Sequence, residues 1–388
     1  MQYLLLATLL TPLLPAVFNF GFEQAKVIFF LATVSLLGLT WSLKNWRRTI
    51  KWTNLKTASL LLVGMLLVTS IIGVDLRASF LGTEPYYQGF FLYTTLLLLS
   101  LVVSTLEINL NQLIFAVGLS TLGVSAVAIF QAVQLYLFHL DVPNYAGRVV
   151  STFGQPNLYA GFLVMSIPFL YFGIQKQKEK LRKFYIFCLL LASVGIVISA
   201  SRIAIALLVG LVVLWFFNKI KRKKWLPIIY GLLIGLSIVF LFQKEFIQPQ
   251  DTEWLKYNSP ERRIVFWPVL IEQFSKRWLS GYGLENIDIA FDRYEKFHEE
   301  RIPVYYHFKN LNIDRAHNYS LDLLLFGGIL TFSAWVYLIY ILYKKVRGTF
   351  LVVPLLIYLI WTQFQVQGVM QLIYFWMLVG IADSGLEY

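Results

Sequence analysis

The chain has 388 residues, 58% of them hydrophobic and 14% charged, with a net charge of +12. A soluble protein of this size carries about a quarter charged residues, so the composition excludes an ordinary soluble domain and indicates a polytopic membrane protein. The basic excess lies mostly in short loops between apolar segments, which points to membrane sidedness and away from a nucleic-acid partner.

Apolar segments in the length range of spanning helices fall at 3–18, 25–43, 57–74, 89–106, 112–138, 158–174, 184–199, 202–217, 225–243, 319–343, 349–363 and 366–381. The expected fold is therefore all-α: a polytopic integral membrane protein of about twelve transmembrane helices, 1–388 forming a single membrane domain. The first segment lacks a basic stretch before it and a small-residue cleavage site after it, so it reads as a retained helix and not a signal peptide. The one cysteine, Cys188, stands in an apolar segment, so no disulfide or cysteine-ligated metal site is expected within one chain.

Loops 44–56, 175–183, 218–224 and 344–348 are rich in Lys and Arg and alternate along the chain, which assigns them to the cytoplasm. The turn near Glu107 should share that side but carries no basic residue. Both termini then come out cytoplasmic. The polar interval 244–318, between helices nine and ten, becomes one large extracytoplasmic loop. It is the one long stretch polar enough for water, and so the first place to look for chemistry.

Two outer loops precede it. Loop 75–88 contains Gly82-Thr83-Glu84-Pro85-Tyr86-Tyr87-Gln88, whose tyrosines read as an interfacial belt. Residues 147–157, Gly147-Arg148-Val149-Val150-Ser151-Thr152-Phe153-Gly154-Gln155-Pro156-Asn157, are rich in turn formers and run into the sixth helix. Gln155 and Asn157 at that entrance are simple caps or polar site groups, and the cap is the simpler reading.

The run 184–217 carries one charge, Arg202, near its middle. As one helix it would be about 51 Å long, against a hydrocarbon core of about 30 Å. A hairpin with its apex at Ser199-Ala200-Ser201-Arg202 keeps both flanking basic loops in the cytoplasm and puts Arg202 at the outer surface. There Arg202 either reaches lipid headgroups or binds an anion.

Within the large loop, Ser259-Pro260 starts a helix running to about Trp278. Ile264, Trp267, Leu270, Ile271, Phe274 and Trp278 form its apolar stripe. Arg263 lies on that stripe and Arg262 off it. A basic residue on a buried face calls for an anion, a lipid headgroup phosphate being the simplest. Gly281-Tyr282-Gly283 reads as the stop and turn after the helix. A charged stretch, Asp288 to Arg301, should be a surface helix, with His298 on its solvated face. His307 sits among aromatic residues. The four histidines show no zinc spacing. His317 stands where the loop re-enters the membrane. A helix N-terminus favours a neutral imidazole, which can take a proton or simply hydrogen-bond the loop.

In this order, Phe153-Gly154-Gln155-Pro156-Asn157, Ser201-Arg202, Arg263-Ile264-Val265-Phe266-Trp267, Gly281-Tyr282-Gly283, Ala316-His317-Asn318 and Gly327-Gly328 together resemble the bacterial O-antigen ligase and O-antigen polymerase superfamily. The resemblance covers most of the chain and is strongest from 147 to 332. It implies transfer of an oligosaccharide or polysaccharide from a polyisoprenyl-diphosphate carrier to an acceptor hydroxyl. The acceptor would be a lipid core, a protein or another glycan. The implied location is the outer face of the bacterial cytoplasmic (inner) membrane, with no cofactor and no metal. It also implies that Arg202 and Arg263 hold the diphosphate and that His317 acts on the acceptor. Arg262, Arg148, Asn157 and Asn318 are secondary candidates. The doublet Arg262-Arg263 leaves the register open, and the stripe favours Arg263. The competing reading is a transporter or flippase for a lipid-linked or anionic substrate, which should show interrupted helices in two related halves; no such repeat is visible.

Overall fold

The computed structural model describes residues 1–17, 20–45, 51–106, 109–219, 260–288 and 314–385, and only the backbone of 214–219 and 260–266. The expected ninth helix at 225–243, residues 244–259 and 289–313 of the large loop, and His298 and His307 lie outside the described residues.

Thirteen helices are described: α1 Gln2–Leu9, α2 Phe22–Asn45, α3 Asn54–Ile71, α4 Leu76–Leu81, α5 Phe90–Thr105, α6 Leu110–Ala132, α7 Pro156–Lys176, α8 Glu179–Ile198, α9 Arg202–Lys219, α10 Pro260–Lys276, α11 Tyr319–Val346, α12 Val352–Phe364 and α13 Val369–Asp383. Among the described residues, six helices are long and apolar enough to cross a membrane, and four shorter ones are apolar. The six are α2, α3, α6 with its π-turn extension to Leu137, α7, α8 and α11. The first expected span is corrected: α1 has 8 residues and gives way to a short 3-10 turn at Thr11–Leu13. Pro12 and Pro15 withhold the N–H groups that a continuing helix needs.

Local chemistry sets the helix starts. The Thr53 hydroxyl accepts from Lys56 N at 3.2 Å to begin α3, and Asp75 accepts from Ala78 N at 3.0 Å to begin α4. Pro156 supplies the first residue of α7. α13 is apolar on every side and buried from Val369 to Ala382, so it runs through the middle of the bundle. It packs against α5 and α7, while α3 packs on α11 and α6 and α7 pack on α8. A buried Lys56–Asp383 ion pair at 2.9 Å ties the start of α3 to the end of α13. The entrances to α2, α7, α11 and α13 meet at the opposite end.

The run 184–217 breaks where the length argument requires. α8 ends at Ile198, Ala200 turns with φ +51, and α9 begins at Arg202. The one sheet among the described residues is a hairpin pairing Tyr145 with Arg148, and its turn residues Ala146 and Gly147 both have positive φ (50 and 72).

One interruption has no counterpart in the sequence reading. α11 is broken at Gly328, with φ 66 and ψ −168. The freed carbonyls of Leu325 and Phe326 accept from Tyr282 N (2.7 Å) and Gly283 N (2.8 Å), and Ile329 N donates to Trp278 O at 2.8 Å. The Gly281-Tyr282-Gly283 turn therefore does more than stop α10. It replaces the hydrogen bonds that the broken helix gives up, as backbone at membrane depth requires.

Candidate active site

The loop 148–157 dips into the bundle and does not lie over it. Ser151, Thr152 and Phe153 are buried. The Ser151 amide donates to Gln131 Oε1 at 2.7 Å and its hydroxyl to Val124 O at 2.7 Å. Lys26, fully buried in α2, donates to the Thr152 and Phe22 carbonyls and lies 4.9 Å from the centroid of the Phe153 ring. Its neighbour Glu23 accepts from Val369 N at 2.8 Å and so caps the first turn of α13. Sequence reasoning passed over both residues. The signal was there: ionisable groups at the head of an apolar span mark a functional or fastening site.

Arg148 leaves the hairpin and reaches the α8–α9 apex. Its Nε and Nη2 donate to Ser199 O at 2.9 and 2.7 Å, and Nη2 also donates to Asn157 Oδ1 at 3.2 Å. Arg202 is exposed at the head of α9, beside this clasp. Burial pushes the Arg148 guanidinium down to about 10, and the nearby Arg202 charge acts in the same direction. The structure thus brings together Arg202, Arg148 and Asn157. Asn157 does not cap α7; it holds Arg148.

A second cluster surrounds His317. The backbone of α10 carries Arg262 and Arg263, whose side chains lie outside the described residues. Among the described side chains of the expected stripe on α10, Leu270 is buried, Trp267 and Phe274 are half-buried, and Ile271 and Trp278 are exposed on the protein surface; Gln273 is buried beside them. The Trp267 indole N–H donates to Ala316 O at 2.8 Å. From the other side, Ala316 N donates to Asp322 Oδ1 at 2.7 Å. His317 follows, half-buried, with φ +54. Asn318 caps α11 by accepting from Leu321 N at 3.0 Å, and its amide donates to Gln363 O at 3.3 Å.

Arg315, which the sequence reading did not single out, is 3% exposed and paired with Glu285. Thr83 donates to the same carboxylate at 3.1 Å. The Arg315 guanidinium lies 5.2 Å from the Tyr86 ring centroid and 5.1 Å from that of Phe326. Burial alone would lower it, but Glu285 and the carboxylates of Asp322 and Asp314 outweigh burial and hold it above its ordinary value. Burial raises Asp314. Tyr86 is not an interfacial belt residue: it is 4% exposed and its ring lies under the Arg315 guanidinium. One chain of hydrogen bonds runs from Ser199 through Arg148 and Asn157 to the entrance of α7. On the other side Tyr86 lies against Arg315, two residues from His317. Among the described residues, no His, Cys, Asp and Glu cluster is placed to hold a metal ion.

Residues 187–336 match the O-Antigen ligase family. That stretch contains Arg202, Arg263 and His317, and spans the α8–α9 apex and the break in α11. A ComP-specific O-oligosaccharyltransferase of Acinetobacter baylyi is 24% identical over 208 residues, which is 52% of this chain and 36% of that protein. The chain thus matches about a third of its curated relative's length. Both comparisons support the O-antigen ligase superfamily.

Proposed function

We propose that the protein is a membrane glycosyltransferase of the O-antigen ligase or polymerase type. It moves a glycan from a polyisoprenyl-diphosphate carrier to an acceptor hydroxyl at the outer face of the cytoplasmic membrane. The observation that carries this reading is the Trp267–Ala316 hydrogen bond. It ties the helix that bears Arg263 to the turn that bears His317. Arg263 precedes Trp267 by one helical turn, roughly 6 Å along the axis.

In this reading His317 takes the proton of the acceptor hydroxyl. The acceptor oxygen forms a bond to the anomeric carbon of the donor sugar as the bond from that carbon to the diphosphate breaks. The polyisoprenyl diphosphate leaves with the electron pair. Arg202 and Arg263 meet the charge that grows on it, because guanidinium forks match phosphate oxygens. Arg148 and Asn157 hold the apex that presents Arg202, and Asn318 holds the turn that presents His317. Lipids supply the surroundings, and no cofactor enters the scheme.

The break in α11 invites comparison with transporters, whose interrupted helices line substrate cavities. Here the freed backbone groups are filled by residues 278–283 of the same chain. That favours a rigid joint over an ion pathway. The deciding experiment uses the purified full chain in nanodiscs with lipid-linked oligosaccharide and candidate acceptors. Covalent glycan transfer is the expected result. Movement of the lipid-linked glycan across a vesicle bilayer with no covalent product would assign the protein to transport instead.

A further inference from the structure

His317 sits in the left-handed region, with φ +54, which residues other than glycine rarely adopt. Such a conformation persists only where its surroundings impose it. The residue before it is held from two sides, its carbonyl by the Trp267 indole at 2.8 Å and its N–H by the Asp322 carboxylate at 2.7 Å. The residue after it is fixed by its own cap on Leu321 N and by Gln363 O. Asp322 is the unusual member. It is 3% exposed, inside the first turns of α11, yet its bond goes backwards to a peptide that precedes the helix cap. Its charge also favours the Arg315 guanidinium, but the direct ion pair there is made by Glu285, and the Asp322 oxygen is spent on the Ala316 peptide. Nor does capping, since Asn318 performs that task.

We propose that Asp322 is a positioning residue for His317: from within α11 its carboxylate fixes the Ala316 peptide and so sets where the imidazole meets the acceptor. This rests on the reading of His317 given above. A displacement of about 1 Å at a reacting group can cost on the order of 100-fold in rate.

The test uses the full chain in nanodiscs, with lipid-linked oligosaccharide as donor. Asp322→Leu removes the acceptor oxygen, Asp322→Asn keeps one, and Trp267→Phe removes only the N–H on the other side of Ala316. The expected result for Asp322→Leu is a kcat lowered on the order of 100-fold with donor affinity kept. Asp322→Asn should retain most of the turnover, and Trp267→Phe should repeat the Leu pattern more weakly. Adding Asp322→Leu to His317→Ala should lower activity no further, because the two act as one unit. A second readout is the rate at which diethyl pyrocarbonate acylates His317 when His139, His298 and His307 are all glutamine. That rate should change in Asp322→Leu and not in Asp322→Asn. Losses that multiply in the double variant, or an acylation rate unchanged in Asp322→Leu, would overturn the proposal. If Asp322→Leu fails to insert, Trp267→Phe with full turnover and an unchanged acylation rate overturns it equally. Should His317→Ala itself keep full transfer, the role of His317 is lost, and the acylation rate still decides whether Asp322 places the ring.

Discussion

Replacing Arg148 by alanine tests whether the clasp on the α8–α9 apex serves donor binding. The guanidinium makes two charge-assisted bonds to a single carbonyl, that of Ser199, and one longer bond to Asn157. The two donors share one acceptor, so they count as one bond to a charged group, about 1.5–3 kcal/mol. The Asn157 contact, at 3.2 Å, adds less. Ser199 is fully buried, so its carbonyl loses its partner in a dry place, a further cost of about 1–3 kcal/mol. The sum is about 2.5–6 kcal/mol on the apex that presents Arg202. If half of that falls on donor binding, affinity drops about 10- to 100-fold, since each 1.4 kcal/mol is tenfold. Arg148→Lys should fall between, because an ammonium can bond Ser199 O but cannot fork to Asn157. The assay is equilibrium binding of lipid-linked oligosaccharide to the full chain in nanodiscs, with thermal unfolding measured alongside. Arg148→Ala with donor affinity and Tm both unchanged would refute the reasoning. A loss confined to kcat would show that the clasp serves the acceptor side.

Four further outcomes follow. Arg202→Ala and Arg263→Ala should each lose most transfer in protein that still inserts, with poor rescue by lysine, whereas Arg262→Ala should be milder; the reverse order for the doublet, read by transfer assay, would overturn the register. His317→Ala should keep donor affinity and lose transfer by about 100- to 10,000-fold, the usual span for a general base. Adding a chelator should change neither parent nor variant, and activity abolished by chelator and restored by a divalent ion would refute the metal-free scheme. Gly328→Ala should destabilise the fold by about 1–3 kcal/mol or more, because its φ and ψ are open essentially to glycine alone and a Cβ there overlaps the Leu279 carbonyl; an unchanged Tm would count against the break in α11.

What could be read in advance was what depends on length, hydropathy and single charges. The run 184–217 was too long for one span, and Arg202 marked the break. Ser199–Arg202, the entrance at Pro156 and the cap before Tyr319 follow from local signals that act within a few residues. The first apolar segment also carried its own warning, since Pro12 and Pro15 interrupt it, but hydropathy outweighed them. The remainder is tertiary. Arg315 meets Glu285 across thirty residues of sequence, and Arg148 meets Ser199 across fifty-one. Nothing in Gly327-Gly328 announces a broken helix, because the partners of the freed groups sit at 278–283. Tyr86 looks like an interface tyrosine until Arg315 is laid on its ring. Asp322, Glu23 and Lys26 were visible as charges in or beside apolar spans, and their partners were not.

The break at Gly328 also bears on how the protein fits a bilayer. As one straight rod, α11 with its 28 residues would be about 42 Å long, well over a hydrocarbon core of about 30 Å. A rod of that excess length would tilt, and its tilt would follow the thickness of the lipid around it. The joint divides the rod instead. Residues 329–346 rise roughly 27 Å, close to the thickness of the core. The nine residues on the other side of the joint, 319–327, are fastened through Leu325 and Phe326 to Tyr282 and Gly283 and follow directly on the His317 turn. Because Ile329 is bonded to Trp278 as well, both pieces keep a fixed angle to 278–283, and the His317 turn keeps its place relative to α10 whatever the thickness of the lipid.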